Sequence, residues 1–167
     1  MRPFIRLRRI QGDNKKVQSL CVKTKIGGQE VLLIKPQTFM NHSGEAVKKL
    51  LNYYKIPLVH LWVVYDDVDL ALGSIKIKPS GKGKSKHNGV RAIVTSLKTP
   101  EFIRFRVGIG KEKTVPTKRY VLEKVRGRDK KLFDEGVQAA ADAIIFSYAN
   151  GLEAAMVKYN TRERNEE

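Results

Sequence analysis

Cysteine is nearly absent. Cys21 stands alone in 167 residues, which excludes a disulfide framework and makes a reducing, intracellular compartment the expected setting. No apolar run approaches the length that spans a bilayer, so no membrane partner is expected. Acid is scarce too: Asp and Glu number 17 against 33 Lys and Arg, a formal charge of +16. The excess is uneven. Residues 1–25 hold eight Arg or Lys against Asp13 alone, and residues 104–131 hold eleven against Glu112, Glu123 and Asp129. A field of that kind makes a polyanion such as RNA the first partner to consider. The glycine pairs Gly81-x-Gly83 and Gly108-x-Gly110-Lys111 lack the length and the following Ser or Thr of a Walker phosphate loop, which excludes that class of nucleotide triphosphatase. Asp66-Asp67-x-Asp69 lacks the glycine and distal glutamate of an EF-hand, and its basic surroundings disfavour a cation, so no metal and no cofactor is expected. The opening Met1 to Ile10 is arginine-rich and acid-free, as organelle transit peptides are, but it is short and lacks serine. Cytoplasm is therefore the expected location, with a mitochondrion or other organelle as the alternative.

What is present is organised around Leu61 to Gly89. An apolar run, Leu61-Trp62-Val63-Val64-Tyr65, stops at Asp66-Asp67-Val68-Asp69; a short alternating segment carries Ile75 and Ile77 between Lys76 and Lys78. The loop Pro79-Ser80-Gly81-Lys82-Gly83-Lys84-Ser85-Lys86 then leads into His87-Asn88-Gly89. A buried strand delivering a carboxylate at its carboxyl end is where open α/β sheets build sites, and the loop beside it supplies cations and close backbone approach.

Upstream, residues 18–25 and Glu30 to Lys35 alternate as strands around a Gly27-Gly28 hairpin turn. Pro36 ends the second strand. Ala46, Val47, Leu50, Leu51 and Tyr54 then share one helical face. Downstream, Val90, Ile93, Val94 and Leu97 mark a second amphipathic helix starting near Asn88, and Phe102 to Ile109 reads as a strand with Phe105 and Val107 inward and Arg104 and Arg106 outward. A long helix over Asp129 to Tyr148 is expected to bury Leu132, Phe133, Val137, Ala140, Ala141, Ile144 and Ile145. The fold class is therefore α/β: a single domain over residues 18–160 with a mixed, mostly parallel sheet and helices on both faces. A basic segment, 1–17, precedes it and a polar tail, 161–167, follows. A monomer is the expected state.

Three polar clusters carry the candidate chemistry. Asn41 precedes a helix, where Asn serves well as an N-cap. Asp66 is better placed to orient a histidine or a water than to bind metal. His87-Asn88 begins a helix, where capping again competes with holding a water or a carbonyl oxygen. Local reading alone thus gives a basic α/β domain with an Asn, Asp, His and Asn site.

These clusters together resemble the bacterial-type peptidyl-tRNA hydrolase family. The resemblance is carried in order by Lys35-Pro36-Gln37-Thr38-Phe39-Met40-Asn41-His42-Ser43-Gly44, Val63 to Leu70, His87-Asn88-Gly89, Arg104 to Gly110, Tyr120-Val121-Leu122 and Gly151 to Met156. It implies an ester hydrolase that releases a stalled peptide from its tRNA without metal or cofactor. By resemblance, Asn41 fixes the substrate and the base, Asp66 orients the catalytic histidine, and Asn88 holds the attacking water or the carbonyl. Phe39, Met40 and His87 line the peptide side, and Lys78 and Arg106 grip the terminal phosphate of the tRNA, with Lys82 and Lys84 adding charge. Two departures stand out. The family opens with a central strand, a glycine-asparagine-proline turn and a histidine stretch holding the base; nothing in residues 1–17 matches either, so that first strand is missing or replaced. The family's glycines before His-Asn-Gly are here Ser85 and Lys86. Turnover well below that of a full-length relative is expected. The alternative is a non-catalytic RNA-binding relative, such as the plant organelle splicing factors that resemble this family.

Overall fold

The computed structural model describes residues 18–80, 85–111, 117–123 and 125–160. The expected terminal segments 1–17 and 161–167, and Lys82 and Lys84 of the basic loop, lie outside the described residues. The described residues fall into two compact units, one holding residues up to 58 with 85–100, the other 59–80 with 101–160.

In the first unit, strands β1 (Ser19–Ile26) and β2 (Gln29–Pro36) pair antiparallel from Ser19↔Pro36 to Ile26↔Gln29. Two residues turn the chain, Gly27 at φ 57° and Gly28 at φ 81°. Positive φ at both central positions matches the twist of the flanking strands and favours glycine. A single 3-10 turn, Met40–His42, follows, and then helix α1 (Ser43–Tyr54). Helix α1 buries Ala46, Val47 and Leu50 as its spacing requires, and Leu50 meets Cys21, Leu32, Ile34 and Tyr54. Helix α2 (Asn88–Leu97) lies so close to α1 that a β-carbon at Gly44 would collide with the carbonyl oxygen of Ala92.

The second unit contains a three-stranded sheet ordered β3-β5-β4, from strands β3 (Trp62–Asp67), β4 (Ile75–Lys78) and β5 (Ile103–Gly108). The expected mixed α/β architecture is present. Parallel pairing among the described residues is confined to β3 with β5; β4, which lies between them in the chain, runs antiparallel to β5. One turn of helix, α3 (Thr117–Tyr120), is tethered by a hydrogen bond from the Tyr120 hydroxyl to the Ile109 carbonyl at 2.8 Å. Helices α4 (Gly127–Asn150) and α5 (Leu152–Tyr159) complete the unit, with Gly151 between them at φ 85°.

The core lies where Ile75, Ile77, Phe105 and Val107 meet Ala140, Ala143 and Ala155. Trp62 stacks between Phe105 and Tyr148, at 5.3 and 4.9 Å between ring centroids. This corrects the expected face of α4. Leu132, Val137, Ala141 and Ile145 are exposed, and the buried stripe is Gly136, Ala140, Ala143 and Ser147. The sheet's own bulky residues fill the layer, so the helix must approach closely. A β-carbon at Gly136 would stand 2.8 Å from the Gly73 Cα. Two readings of the strands also change. Val64 is half exposed although its run was expected to be covered on both sides, and Arg104 is buried, over the Phe102 ring at 4.8 Å, instead of pointing outward. Among the described residues no helix is long and apolar enough to cross a membrane.

Candidate functional site

The first unit presents its polar groups from the starts of two helices. Hydrogen bonds fix the loop entering α1: the Gln37 backbone N–H donates to the Gln18 carbonyl at 2.8 Å, and the Gln37 side chain donates to the carbonyls of Lys35 and Pro36 at 3.2 and 3.1 Å. With the loop held, Phe39 and Met40 project, 84% and 53% exposed. Asn41 sits inside the 3-10 turn and does not cap α1. The extra turn moves the N-cap position one residue on, to His42, which makes no side-chain capping bond. Asn41 is exposed, and its amide has no partner among the described residues.

His42 pairs with Glu45, Nδ1 to Oε1 at 2.8 Å. An ionised carboxylate can only accept, so Nδ1 carries the proton. The hydrogen bond from His42, and then its charge, hold the Glu45 carboxyl below the usual glutamate range.

Helix α2 is capped by His87, whose Nδ1 accepts from the Val90 backbone N–H at 3.3 Å. In a neutral ring one nitrogen donates and the other accepts, so this cap puts the proton on Nε2. The Nδ1 lone pair of His87 is engaged in this cap. Asn88, the next residue, is exposed, and its amide too has no partner among the described residues. Met40 and His87 flank Gly89: a β-carbon there would lie 2.5 Å from the Met40 Sδ and 3.0 Å from the His87 Cε1. Glycine at 89 thus lets the 3-10 turn close onto the start of α2, bringing Met40, His87 and Asn88 together.

In the second unit β3 ends in Asp66 and Asp67. Register places Tyr65 beside Arg106, Arg106 beside Lys76, and Arg104 beside Lys78. Because side chains alternate along strands, Lys76, Lys78, Arg104, Arg106 and Asp67 share one face. Asp66, in register with Val107, belongs to the other. This puts Asp66 on the opposite face of the strands from Lys78 and Arg106. Like charges directly opposite each other destabilise a sheet, and Asp67 offsets them. Its Oδ2 accepts from the Arg106 Nε at 2.7 Å and its Oδ1 from the Asp69 backbone N–H at 2.9 Å. Burial acts against the Arg106 charge, but the hydrogen bond to Asp67 and the nearby charges of Asp67, Tyr65 and Asp69 outweigh it and raise the pKa. Arg106 remains a cation.

Two structural contacts had no local signal in the sequence. Asp67 was grouped with its neighbouring carboxylates, and its arginine partner is 39 residues away. Asn160 bonds both backbone groups of Ile77, accepting at 2.6 Å and donating at 3.3 Å, which ties the end of α5 to β4 beside Lys78. Among the described residues no three His, Cys, Asp or Glu side chains gather as a metal site would require.

Comparison with known proteins gives one answer. The family model described as peptidyl-tRNA hydrolase matches residues 4–167. A peptidyl-tRNA hydrolase of Thermoanaerobacter sp. (strain X514) is 47% identical over 146 residues, covering 87% of this chain and 78% of its own length. One from Caldanaerobacter subterraneus subsp. tengcongensis is 44% identical over 145 residues with the same coverage. A crystal structure of a mutant peptidyl-tRNA hydrolase from Acinetobacter baumannii superposes with a TM-score of 0.81 at 28% identity, covering 90% of this chain and 76% of that one.

Proposed function

The chain belongs to the peptidyl-tRNA hydrolase family, and we propose that it cleaves the ester joining a peptide to the 3′ end of its tRNA. The observation that carries this reading is the state of Asn41 and Asn88. Both were candidates for helix capping, and neither caps: histidines occupy both N-cap positions, and both amides stand exposed without a partner among the described residues. A side-chain amide offers two donors and an acceptor, which suits it to hold a carbonyl oxygen as charge develops there and to orient a water. The exposed Phe39 and Met40 offer apolar surface for the peptide.

In this reading water attacks the ester carbonyl, the C–O bond to the ribose breaks, and a peptide carboxylate and a free ribose hydroxyl are released. Asn88 holds the water or the carbonyl oxygen, and Asn41 fixes the substrate and the base. Asp66 acts through the base it orients. His87 serves as a wall and a cap, its Nδ1 lone pair being engaged by the Val90 N–H. Lys78 and Arg106 take the 5′-phosphate of the tRNA, and Lys82 and Lys84 add attraction. The cytoplasm, where stalled peptidyl-tRNA arises, is the proposed site of action.

The test is release of labelled peptide from an N-blocked aminoacyl-tRNA. Asn41→Ala and Asn88→Ala should each slow release by roughly 10²–10³-fold, the usual effect of removing one donor to a developing oxyanion, with tRNA binding kept. Rates unchanged by both substitutions would refute the proposed roles. Tight tRNA binding with no release by the unmodified chain would instead favour the non-catalytic RNA-binding relative.

A further inference from the structure

We infer that Asp67 is a positioning residue, which aims the Arg106 guanidinium so that its two terminal amino groups form the phosphate grip. This rests on the reading above that Arg106 takes the 5′-phosphate of the tRNA. Asp67 is pinned at both oxygens, Oδ1 by the Asp69 N–H at 2.9 Å and Oδ2 by the Arg106 Nε at 2.7 Å. Asp67 is buried, and the Arg106 side chain is only 17% exposed. A carboxylate held at two points, on the last residue of a paired strand, has little rotational freedom, and it passes that restriction to the guanidinium it bonds.

The contact uses Nε alone. A guanidinium has five N–H donors in one plane, so four remain on the Nη atoms, and these have no partner among the described residues. Their edge suits bidentate contact with a tetrahedral oxyanion. Lys78 lies diagonally across the β4–β5 pair on the same face, at a spacing of about 7–8 Å for such neighbours. It can meet a second oxygen of the same phosphate as a point charge. Asp67 therefore acts in two opposed ways: it adds a negative charge to the basic face, which weakens attraction for any RNA, and it orients the fork that distinguishes a terminal phosphate from the backbone.

Those opposed effects give the test its signature. The measured quantity is phosphate preference, the ratio of Kd values for dephosphorylated and 5′-phosphorylated tRNA, for the unmodified chain and Arg106→Ala, Arg106→Lys and Asp67→Asn. Asp67→Asn should lower the preference by about tenfold, the size of one charge-assisted hydrogen bond, while affinity for dephosphorylated tRNA holds or rises because the net charge increases. KM for phosphorylated peptidyl-tRNA should rise with kcat unchanged, as expected for a lost binding contact. Arg106→Lys keeps the charge and loses the fork, so it too should lose preference; this keeps the inference testable if Asp67→Asn folds poorly. Asp67→Asn raising affinity for both RNAs alike would overturn the inference, leaving Asp67 as a charge only. Arg106→Lys with full preference would overturn it as well. Preference lost in Arg106→Ala but kept in well-folded Asp67→Asn removes Asp67's part alone, whereas preference surviving Arg106→Ala removes the grip itself.

Discussion

Asn41 and Asn88 in the first unit stand in solvent with no partner among the described residues, whereas Arg106 and Asp67 in the second are bonded to each other and largely covered. The contrast follows from charge. A neutral amide loses little by waiting in water, and its backbone, fixed by a 3-10 turn or by the first turn of α2, already places it. A long charged side chain has many rotamers, and holding it in one costs conformational entropy. It needs a second group to aim it, and a partly buried charge needs a counter-charge. One unit therefore presents groups ready to bond a substrate, and the other presents a cation already bound on one edge.

Mutation should separate the two designs, beginning with the largest effect. Asp67→Ala leaves a partly buried guanidinium uncompensated, and loss of one partner from a buried pair typically costs about 3–5 kcal/mol. Partial exposure of Arg106 puts the expectation at or below the lower end of that range, measured by urea unfolding. Asn41→Ala should change stability by no more than about 0.5 kcal/mol, as surface substitutions do, despite its large effect on release. Equal stability losses in the two variants would erase the contrast.

Charge gives a smaller effect. Lys78→Ala should reduce the slope of log K against log salt for tRNA binding by about 0.7–0.9, one phosphate contact. An unchanged slope would place Lys78 outside the interface. The smallest expected effect is at His42. His42→Ala removes the bond that lowers the Glu45 pKa, so that pKa, followed by NMR, should move back up toward the usual glutamate value. A lowered folded-state pKa gives stabilisation that is present above the unfolded-state pKa and lost as pH falls through the folded one. The wild-type pair's contribution should fade in that acid window, and no such fade is expected in His42→Ala.

How much of this was legible in the sequence depended on how far apart the partners lie. The Gly27-Gly28 hairpin, α1 and α2 were readable because turn residues and 3.6-residue spacing are local signals, and Ala46, Val47, Leu50, Val90 and Ile93 are buried as that spacing requires. The motif residues Phe39, Met40, Asn41, His87 and Asn88 were readable by resemblance, but the conformation around Asn41 was not, since a 3-10 turn ahead of α1 shifts the cap by one residue. Helix α4 misled for another reason. Its large apolar residues suggested the buried face, yet Phe105, Ile77 and Trp62 supply the bulk from the sheet, leaving room only for Gly136, Ala140 and Ala143. The Asp67–Arg106 and Asn160–Ile77 contacts span 39 and 83 residues, so composition and periodicity carried no trace of them.

The central claim, that exposed amides of the first unit act on the ester of peptidyl-tRNA, is tested most directly by single-turnover peptide release at saturating enzyme, comparing the unmodified chain with the Asn41→Ala, Asn88→Ala double variant at equal tRNA occupancy. The account predicts measurable release by the unmodified chain and at least a roughly 100-fold slower release by the double variant. Equal release by both, with tRNA equally bound, would contradict it.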